Sequence, residues 1–364
     1  MSGGLSESMS RRGDIGVLPR PTWLADESYL AFLESFRDVL LTQMFPAMAL
    51  AGHARMIEAG LPINDDTLPL PAIKAAFAKA PVVPTWQRFM RSQQEMMWRR
   101  TRASFAEQGA HQIALLDAAA SDGPGSLVID PAFMVPNYAR REIHLQPGGY
   151  TDDPIGGIVY HYGTKVFYQG GNDQDELHAE LAEKAAAPAD STVANVLDLG
   201  CSVGQGAIKL KHRFPEAEIW GLDVGAPMVR YAHARAASQG VAVNFIQALA
   251  EDIPFADGHF DLVFAYILFH ELPVAIIPKV LAEVHRVLRP GGNFAIFEFP
   301  SAGSQLPPAF RFMIDYDSRD NCEPYSPDFV HSDFRAMLAS AGFAVSDGPA
   351  SSNSFLQSIV ATRT

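Results

Sequence analysis

Cysteine is nearly absent from this chain: Cys201 and Cys322 are the two thiols in 364 residues. Two thiols cannot build a disulfide framework or a zinc site of the usual spacing. Cationic side chains are also in deficit, with 28 Lys and Arg against 41 Asp and Glu, a net charge of −13. That balance argues against nucleic acid as a partner, because phosphate-backbone binding draws on surplus Lys and Arg. Arg99, Arg100 and Arg102 do cluster, but Glu95 and Glu107 flank them, as on a solvated helix face. No apolar run approaches the ~18 residues that a membrane-spanning helix needs, so no membrane partner is expected. Residues 1–20 are rich in Ser, Gly and Arg and lack the apolar core of a secretory signal. They are expected to be disordered, and the protein to be cytoplasmic.

What is present is enough apolar residue, 48%, to bury large cores in about two domains. The chain changes character near residue 190. Over 21–130 the apolar residues recur at helical spacing. Tyr29, Phe32, Leu33, Phe36, Val39 and Leu40 form one stripe after a candidate cap, Asp26. A long helix is predicted from Thr85 to about Ala120, carrying Trp86, Phe89, Met90, Met97, Phe105 and Leu115; it stops at a Ser-Asp-Gly-Pro-Gly run over 121–125. Such stripes suit core or a subunit contact, and a homodimer through these helices is one reading.

Residues 131–190 read as a lid or connector. Tyr138, His144, Gly148, Gly149, Tyr150, Tyr160, His161, Tyr162, Tyr168, Gly170 and Gly171 crowd together there. Polar aromatics among turn glycines suit a loop-built wall over a pocket, or equally a connector packed between domains.

Over 191–364, short apolar runs alternate with amphipathic helices. Strands are predicted near 193–199, 218–223, 241–247, 260–266, 293–299, 343–345 and 355–361. A helix lies between the fourth and fifth, with Pro273 in its first turn, and another spans 328–341. Strand–helix repeats at this spacing imply a doubly wound α/β domain with a mostly parallel seven-stranded sheet, preceded by a mainly helical N-terminal domain.

Ligands of such sheets bind beyond the carboxyl ends of the strands. The first strand there ends in Asp198-Leu-Gly200-Cys-Ser-Val-Gly204, whose glycines admit close approach of a ligand. The second ends in Asp223, placed to accept hydrogen bonds from the hydroxyls of a ribose. The loop fails the dinucleotide fingerprint at its second and third glycines, where Ser202 and Gln205 stand. Asp198 would repel a pyrophosphate and suits a cationic ligand better. S-adenosylmethionine (SAM) carries ribose, adenine and a positive sulfur.

Four segments in order resemble the motifs of class I SAM-dependent methyltransferases, in the ubiquinone/menaquinone-methylase-like group. They are Val196-Leu-Asp-Leu-Gly-Cys201; Gly221-Leu-Asp223-Val-Gly-Ala-Pro-Met228; Ala250-Glu-Asp-Ile-Pro-Phe255 with Phe260-Asp-Leu-Val-Phe-Ala-Tyr266; and Leu281 through Gly292. The resemblance is strong over about 190–300. It implies that Gly200 and Gly204 lie beside the methionine part of SAM and that Asp223 binds its ribose, with Asp198 the acid that faces positive charge. Met228 would pack on the adenine, Ala250 and Glu251 would border its edge, and Tyr266 would complete the set. Leu249 stands where the family often has an acid.

Transfer of a methyl group from a sulfonium is an in-line displacement in which alignment does much of the work. His270, after the fourth strand, and Glu298, ending the fifth, are the candidate catalytic residues; each also has a structural reading as a hydrogen-bonding residue that holds its loop. Glu271 is expected to cap the helix that Pro273 opens. His144, Tyr150, Tyr160, His161, Tyr168, Phe310 and Tyr316 are the candidate acceptor-binding residues. His144, His161 and His270 are too scattered to predict a metal. The expected activity is methylation of a small, partly apolar molecule at oxygen or carbon, or else at nitrogen. Other chemistry on the same fold, or a non-catalytic SAM-binding subunit, would fit the same motifs.

Overall fold

The computed structural model describes residues 16–65, 67–301, 306–353 and 355–364. Of the segment expected to be disordered, residues 1–15 lie outside the described residues. Residues 16–20 are packed: Leu18 is buried, and the Val17 amide donates to the Asp173 carbonyl at 3.1 Å.

The N-terminal half is helical, with α1 (Leu24–Val39), a π-turn over Leu40–Met44, α2 (Phe45–Glu58), α3 (Leu70–Phe77), α4 (Val82–Ala106) and α5 (Gly109–Ala119). Two expectations need correction here. Trp23, not Asp26, precedes the first helix, and the Asp26 carboxylate instead takes the Arg100 guanidinium at 2.8 Å. The long helix breaks at Gln108, which leaves helical geometry at φ −112° and ψ 20°, and a second helix starts at Gly109. Among the described residues no helix is long and apolar enough to cross a membrane.

The glycines after α5 do more than break it. A Cβ on Gly125 would lie 1.9 Å from the Val243 carbonyl oxygen, so the chain must pass that close without one. It then forms β1 (Leu127–Val128), which pairs parallel with β4 (Asn244–Gln247). The sheet therefore has eight strands, not seven, and the extra edge strand comes from the segment assigned to the helical domain. The segment over 131–190 is also more regular than a loop-built wall: it contains α6 (Gly156–Phe167) and α7 (Glu176–Lys184).

The rest follows the doubly wound pattern, with β2 (Asn195–Leu199), α8 (Gln205–Arg213), β3 (Glu218–Asp223), α9 (Ala226–Ser238), β4, β5 (Phe260–Tyr266), α10 (Ile277–Val287) and β6 (Leu288–Glu298). The chain continues through α11 (Pro308–Asp320), α12 (Ser326–His331), α13 (Phe334–Ser340), β7 (Phe343–Asp347) and β8 (Gln357–Arg363). Strand order is β1-β4-β3-β2-β5-β6-β8-β7, with β8 antiparallel to both neighbours. Pro278, not Pro273, sits in the first turn of α10. The predicted helix over 328–341 is two helices, because Asp333 caps a fresh start, accepting from the Ala336 amide at 2.9 Å.

Apolar residues cover both faces of the sheet. A separate helical core gathers Met48, Phe77, Trp86 and Met90 around Ala309, Phe312 and Tyr316. The helical unit is therefore discontinuous in sequence: α11, which follows the sixth strand, completes it.

Candidate active site

The carboxyl ends of β2, β3 and β5 open into one cleft. On the other side stand residues from the 138–168 segment. Connections that leave two adjacent parallel strands in opposite directions open such a crevice where the sheet order reverses, here between β2 and β5.

The cofactor end is built from β2 and β3. Gly200 takes φ +74°, and a Cβ there would lie 2.9 Å from Leu268 Cδ1, in the wall of the cleft. Asp223 is anchored by both oxygens: Oδ2 accepts from the Ser202 amide at 2.9 Å and Oδ1 from the Gly225 amide at 2.8 Å. Each oxygen keeps a further lone pair. Burial nevertheless pushes its pKa up to about 6, against the pull of those amides. Asp198 is pushed up to about 7 by burial, and its Oδ2 has no hydrogen-bond partner in the structure. A buried carboxylate oxygen left in this state is costly unless a positive group reaches it. At the outer wall, Glu251 Oε1 accepts from the Tyr138 hydroxyl, while Oε2 is buried without a partner. Met228 and Ala250 line the same wall.

Four tyrosines shape the other end. Tyr150 and Tyr160 meet edge to face with centroids 5.5 Å apart, and the hydroxyls of Tyr168 and Tyr266 lie 3.3 Å apart. Burial keeps all four hydroxyls protonated, with pKa values above their ordinary range. The Tyr150 hydroxyl donates to Glu271 Oε1 at 3.3 Å, and His144 Nε2 lies 3.5 Å from the same oxygen. His144 Nδ1 is 3.0 Å from Glu323 Oε1. Burial alone would lower the pKa of His144, but Glu323 and Glu271 outweigh it and hold it at about 10. His144 is thus a cation between two carboxylates.

Backbone strain collects here. His144 (φ 57°), Ser202 (φ 48°) and Ile267 (φ 44°) all line the cleft in left-handed conformations that disfavour side chains, most of all a β-branched one.

The cleft thus gathers Asp198, Gly200, Asp223, Met228, Ala250, Glu251 and Tyr266 from the expected cofactor set. From the expected acceptor set it gathers His144, Tyr150, Tyr160 and Tyr168. It does not gather the others. Gly204 starts α8 at φ +76°, and a Cβ there would strike Phe245 and Ala232 in the core, not a ligand. His161 is buried within α6, bonded to the Tyr231 hydroxyl at 2.8 Å. Phe310 packs against Phe45 and Phe355, and Tyr316 against Trp86, all outside the cleft. His270 and Glu298 face each other behind the wall, 1% and 0% exposed, with Nδ1 to Oε1 2.8 Å. Glu298 also accepts from the amides of Phe269 and Phe299. Burial would lower the His270 pKa, but the Glu298 partner raises it to about 9. This pair braces the loop and does not touch the cleft.

The expected site residues leave out Glu271, Tyr138, Gln205 and His178, although Tyr138 belongs to the segment read as a pocket wall. Glu271 does not cap α10; it sits in a short 3₁₀ turn, Phe269–Glu271, that aims it into the cleft. Its place beside His270 after a strand end was the available signal. His178 and Gln205 reach the cleft from α7 and α8; Gln205 follows directly on the glycine loop, whereas nothing in the local pattern marks His178. Gln205 Nε2 donates to the buried Asp175 at 2.7 Å.

A family model described as a methyltransferase domain matches residues 196–292. The chain is 34% identical over 170 residues to a demethylmenaquinone methyltransferase of Thermus thermophilus, covering 41% of this chain and 74% of that protein. The chain belongs to the class I SAM-dependent methyltransferases. Within them it falls in the ubiquinone/menaquinone-methylase-like group. This methyltransferase is also 35% identical over 149 residues to a fatty-acid O-methyltransferase of Mycolicibacterium smegmatis, covering 40% of this chain and 49% of that one. Among solved structures, the YcgJ protein of Bacillus subtilis matches 47% of this chain and 70% of its own at 26% identity, with a TM-score of 0.38. SAM is the methyl donor of the family. The residues present fit it: Asp198 offers an unpartnered buried oxygen, Asp223 two oriented acceptors, and Glu251 a further unpartnered oxygen.

Proposed function

We propose that this methyltransferase transfers a methyl group from SAM to a small, partly apolar acceptor, at oxygen or carbon in preference to nitrogen. The observation that carries the reading is the continuity of the cleft: the Asp198–Asp223 end and the tyrosine chamber share one space. When bound, SAM supplies an electrophilic methyl on a positively charged sulfur. Asp223 holds the ribose hydroxyls, Met228 and Glu251 border the adenine, and Asp198 balances positive charge on the amino-acid side. Tyr160, Tyr168 and Tyr266 line the same space, and aromatic rings there suit a cationic ligand. Ile143, Leu268 and Leu272 supply apolar walls for the acceptor. Holding both reactants in line contributes on the order of 7–11 kcal/mol to such a step.

The two relatives are named for a quinone and a fatty acid, and both names suit an acceptor with an apolar body. The test is direct. Folded protein is titrated with SAM and with S-adenosylhomocysteine, then incubated with methyl-labelled SAM and candidate acceptors. No heat with either nucleoside sinks the proposal. Heat without label transfer to any acceptor would point to another chemistry on the same fold.

Self-association belongs to the same proposal. Phe32, Phe36 and Phe89 form an aromatic strip on α1 and α4, with Phe32 59% exposed, and a second copy of the chain would cover it. A single monomer mass by sedimentation at micromolar concentration would remove that element.

A further inference from the structure

Resting on the SAM-binding reading above, we propose that Asp175 is a positioning residue: acting through Gln205, it sets the cofactor end of the cleft to select the ammonium group of SAM.

Asp175 is buried and does not itself line the cleft. It holds a left-handed backbone, φ 61°, at the residue just before α7. An acid at that position ordinarily caps the helix, yet this carboxylate caps nothing. It turns to two other helices instead. Oδ2 takes the guanidinium of Arg235 on α9, itself buried, and Oδ1 accepts from Nε2 of Gln205, the first residue of α8, at 2.7 Å. Burial alone would raise the pKa of Asp175, but Arg235 outweighs it and keeps the carboxylate charged. The strained backbone and the forgone cap are both costs that the local structure does not explain.

The consequence falls on Gln205. An ionised carboxylate only accepts hydrogen bonds, so the amide must turn its NH₂ toward Asp175. The carbonyl oxygen Oε1 is then the end left for the cleft that Gln205 lines. A glutamine free to turn would offer either end. The first turn of α8 also lies against Asp198, because a Cβ on Gly206 would stand 2.7 Å from Asp198 Oδ2, the oxygen without a partner. Gln205 thus adds a second acceptor at the end of the cleft that Asp198 occupies. Two acceptors, one of them a carboxylate, suit an ammonium and oppose a carboxylate.

Asp175→Asn should invert this selection. Arg235 and Lys209 both approach on the Oδ2 side, Lys209 at 3.9 Å, and would hold the oxygen of the new amide there. Its NH₂ then faces Gln205, whose own amide must turn over and present NH₂ to the cleft.

Calorimetry on the folded protein with three ligands tests the proposal: S-adenosylhomocysteine, its analogue without the amino group, and its analogue without the carboxylate. Wild type should bind S-adenosylhomocysteine about tenfold or more tighter than the analogue without the amino group. Asp175→Asn should lower that preference by about tenfold, weakening both amino-bearing ligands while the third holds or gains affinity. A purely structural role for Asp175 would weaken all three by one common factor, and that result overturns the proposal. So does an unchanged preference in the variant, or no preference in wild type. Gln205→Met keeps the Asp175–Arg235 pair and removes the acceptor, so it should lose the preference as well. It decides the matter if Asp175→Asn does not fold, and a wild-type preference in this second variant overturns the proposal. Wild type that bound none of the three would remove the SAM reading itself, whereas failure in the variants alone leaves that reading standing.

Discussion

Asp223 accepts two backbone amides and still has lone pairs to offer. Hydrogen bonds to a charged acceptor are worth about 1.5–3 kcal/mol each, roughly twice a neutral one. Asp223→Asn should therefore weaken SAM binding by about tenfold or more, as read by calorimetry, with the melting temperature little changed. The same burial that readies these acids also opposes their ionisation. Asp198 near 7 and Asp223 near 6 are partly protonated below neutrality, and a positive ligand favours the ionised form. SAM affinity should rise between pH 5 and 7 and level off above it; a flat profile over that range would contradict the Asp198 contact. His270→Ala belongs to the opposite class. Removing one partner of a buried pair costs about 3–5 kcal/mol, so this variant should unfold at markedly lower denaturant while its folded fraction binds SAM normally. At this scale the sequence was readable where the chemistry is local. Asp198, Gly200 and Asp223 sit at strand ends, and strand ends can be found from apolar runs. His270 and Glu271 are neighbours with opposite fates, and only the turn between strand and helix decides which one faces the cleft.

Elements were legible in kind and less so in extent. β3 and β5 run over the residues expected, because apolar runs and turn residues bound them on both sides. The two broken helices were not legible from periodicity, because what ends each first segment is local backbone geometry and a cap, Asp333 in the second case. Close approach is the other hidden factor. On α6, a Cβ at Gly163 would lie 2.2 Å from the ring of Trp98 on α4, and Trp98 Nε1 donates to the His144 carbonyl at 2.6 Å. The α4–α6 contact thus fixes the backbone that carries His144. Gly163→Ala should cost about 1–3 kcal/mol in denaturant unfolding, the usual penalty for overpacking. It should also disturb the acceptor end more than SAM binding. A variant with wild-type stability would show that the ring can move aside.

For the molecule as a whole, acidity and burial combine into a pH dependence with a definite sign. His144 and His270 have folded pKa values of about 10 and 9, above the ordinary 6.5. Their contribution to stability is complete below 6.5 and is lost as pH rises through 9 to 10. Thermal melting should fall across that alkaline window, and His270→Asn should flatten part of the fall; an unchanged slope in that variant would contradict the pairing with Glu298. The start of the strand–helix repeats was legible from the shift in pattern near residue 190. The return of α11 to the helical core was not, because an amphipathic helix does not announce which apolar neighbour it will meet.

Met48, Phe77 and Trp86 belong to the first quarter of the chain, yet the core they share is completed by Ala309, Phe312 and Tyr316. More than two hundred residues separate the two sets. During synthesis the early helices must wait, with their greasy sides uncovered, while the entire sheet from β2 to β6 is made. Contacts of such long sequence separation form late and slowly. Production of this protein should depend on protection of the nascent chain, and a fragment cut at the apparent boundary would leave both halves sticky.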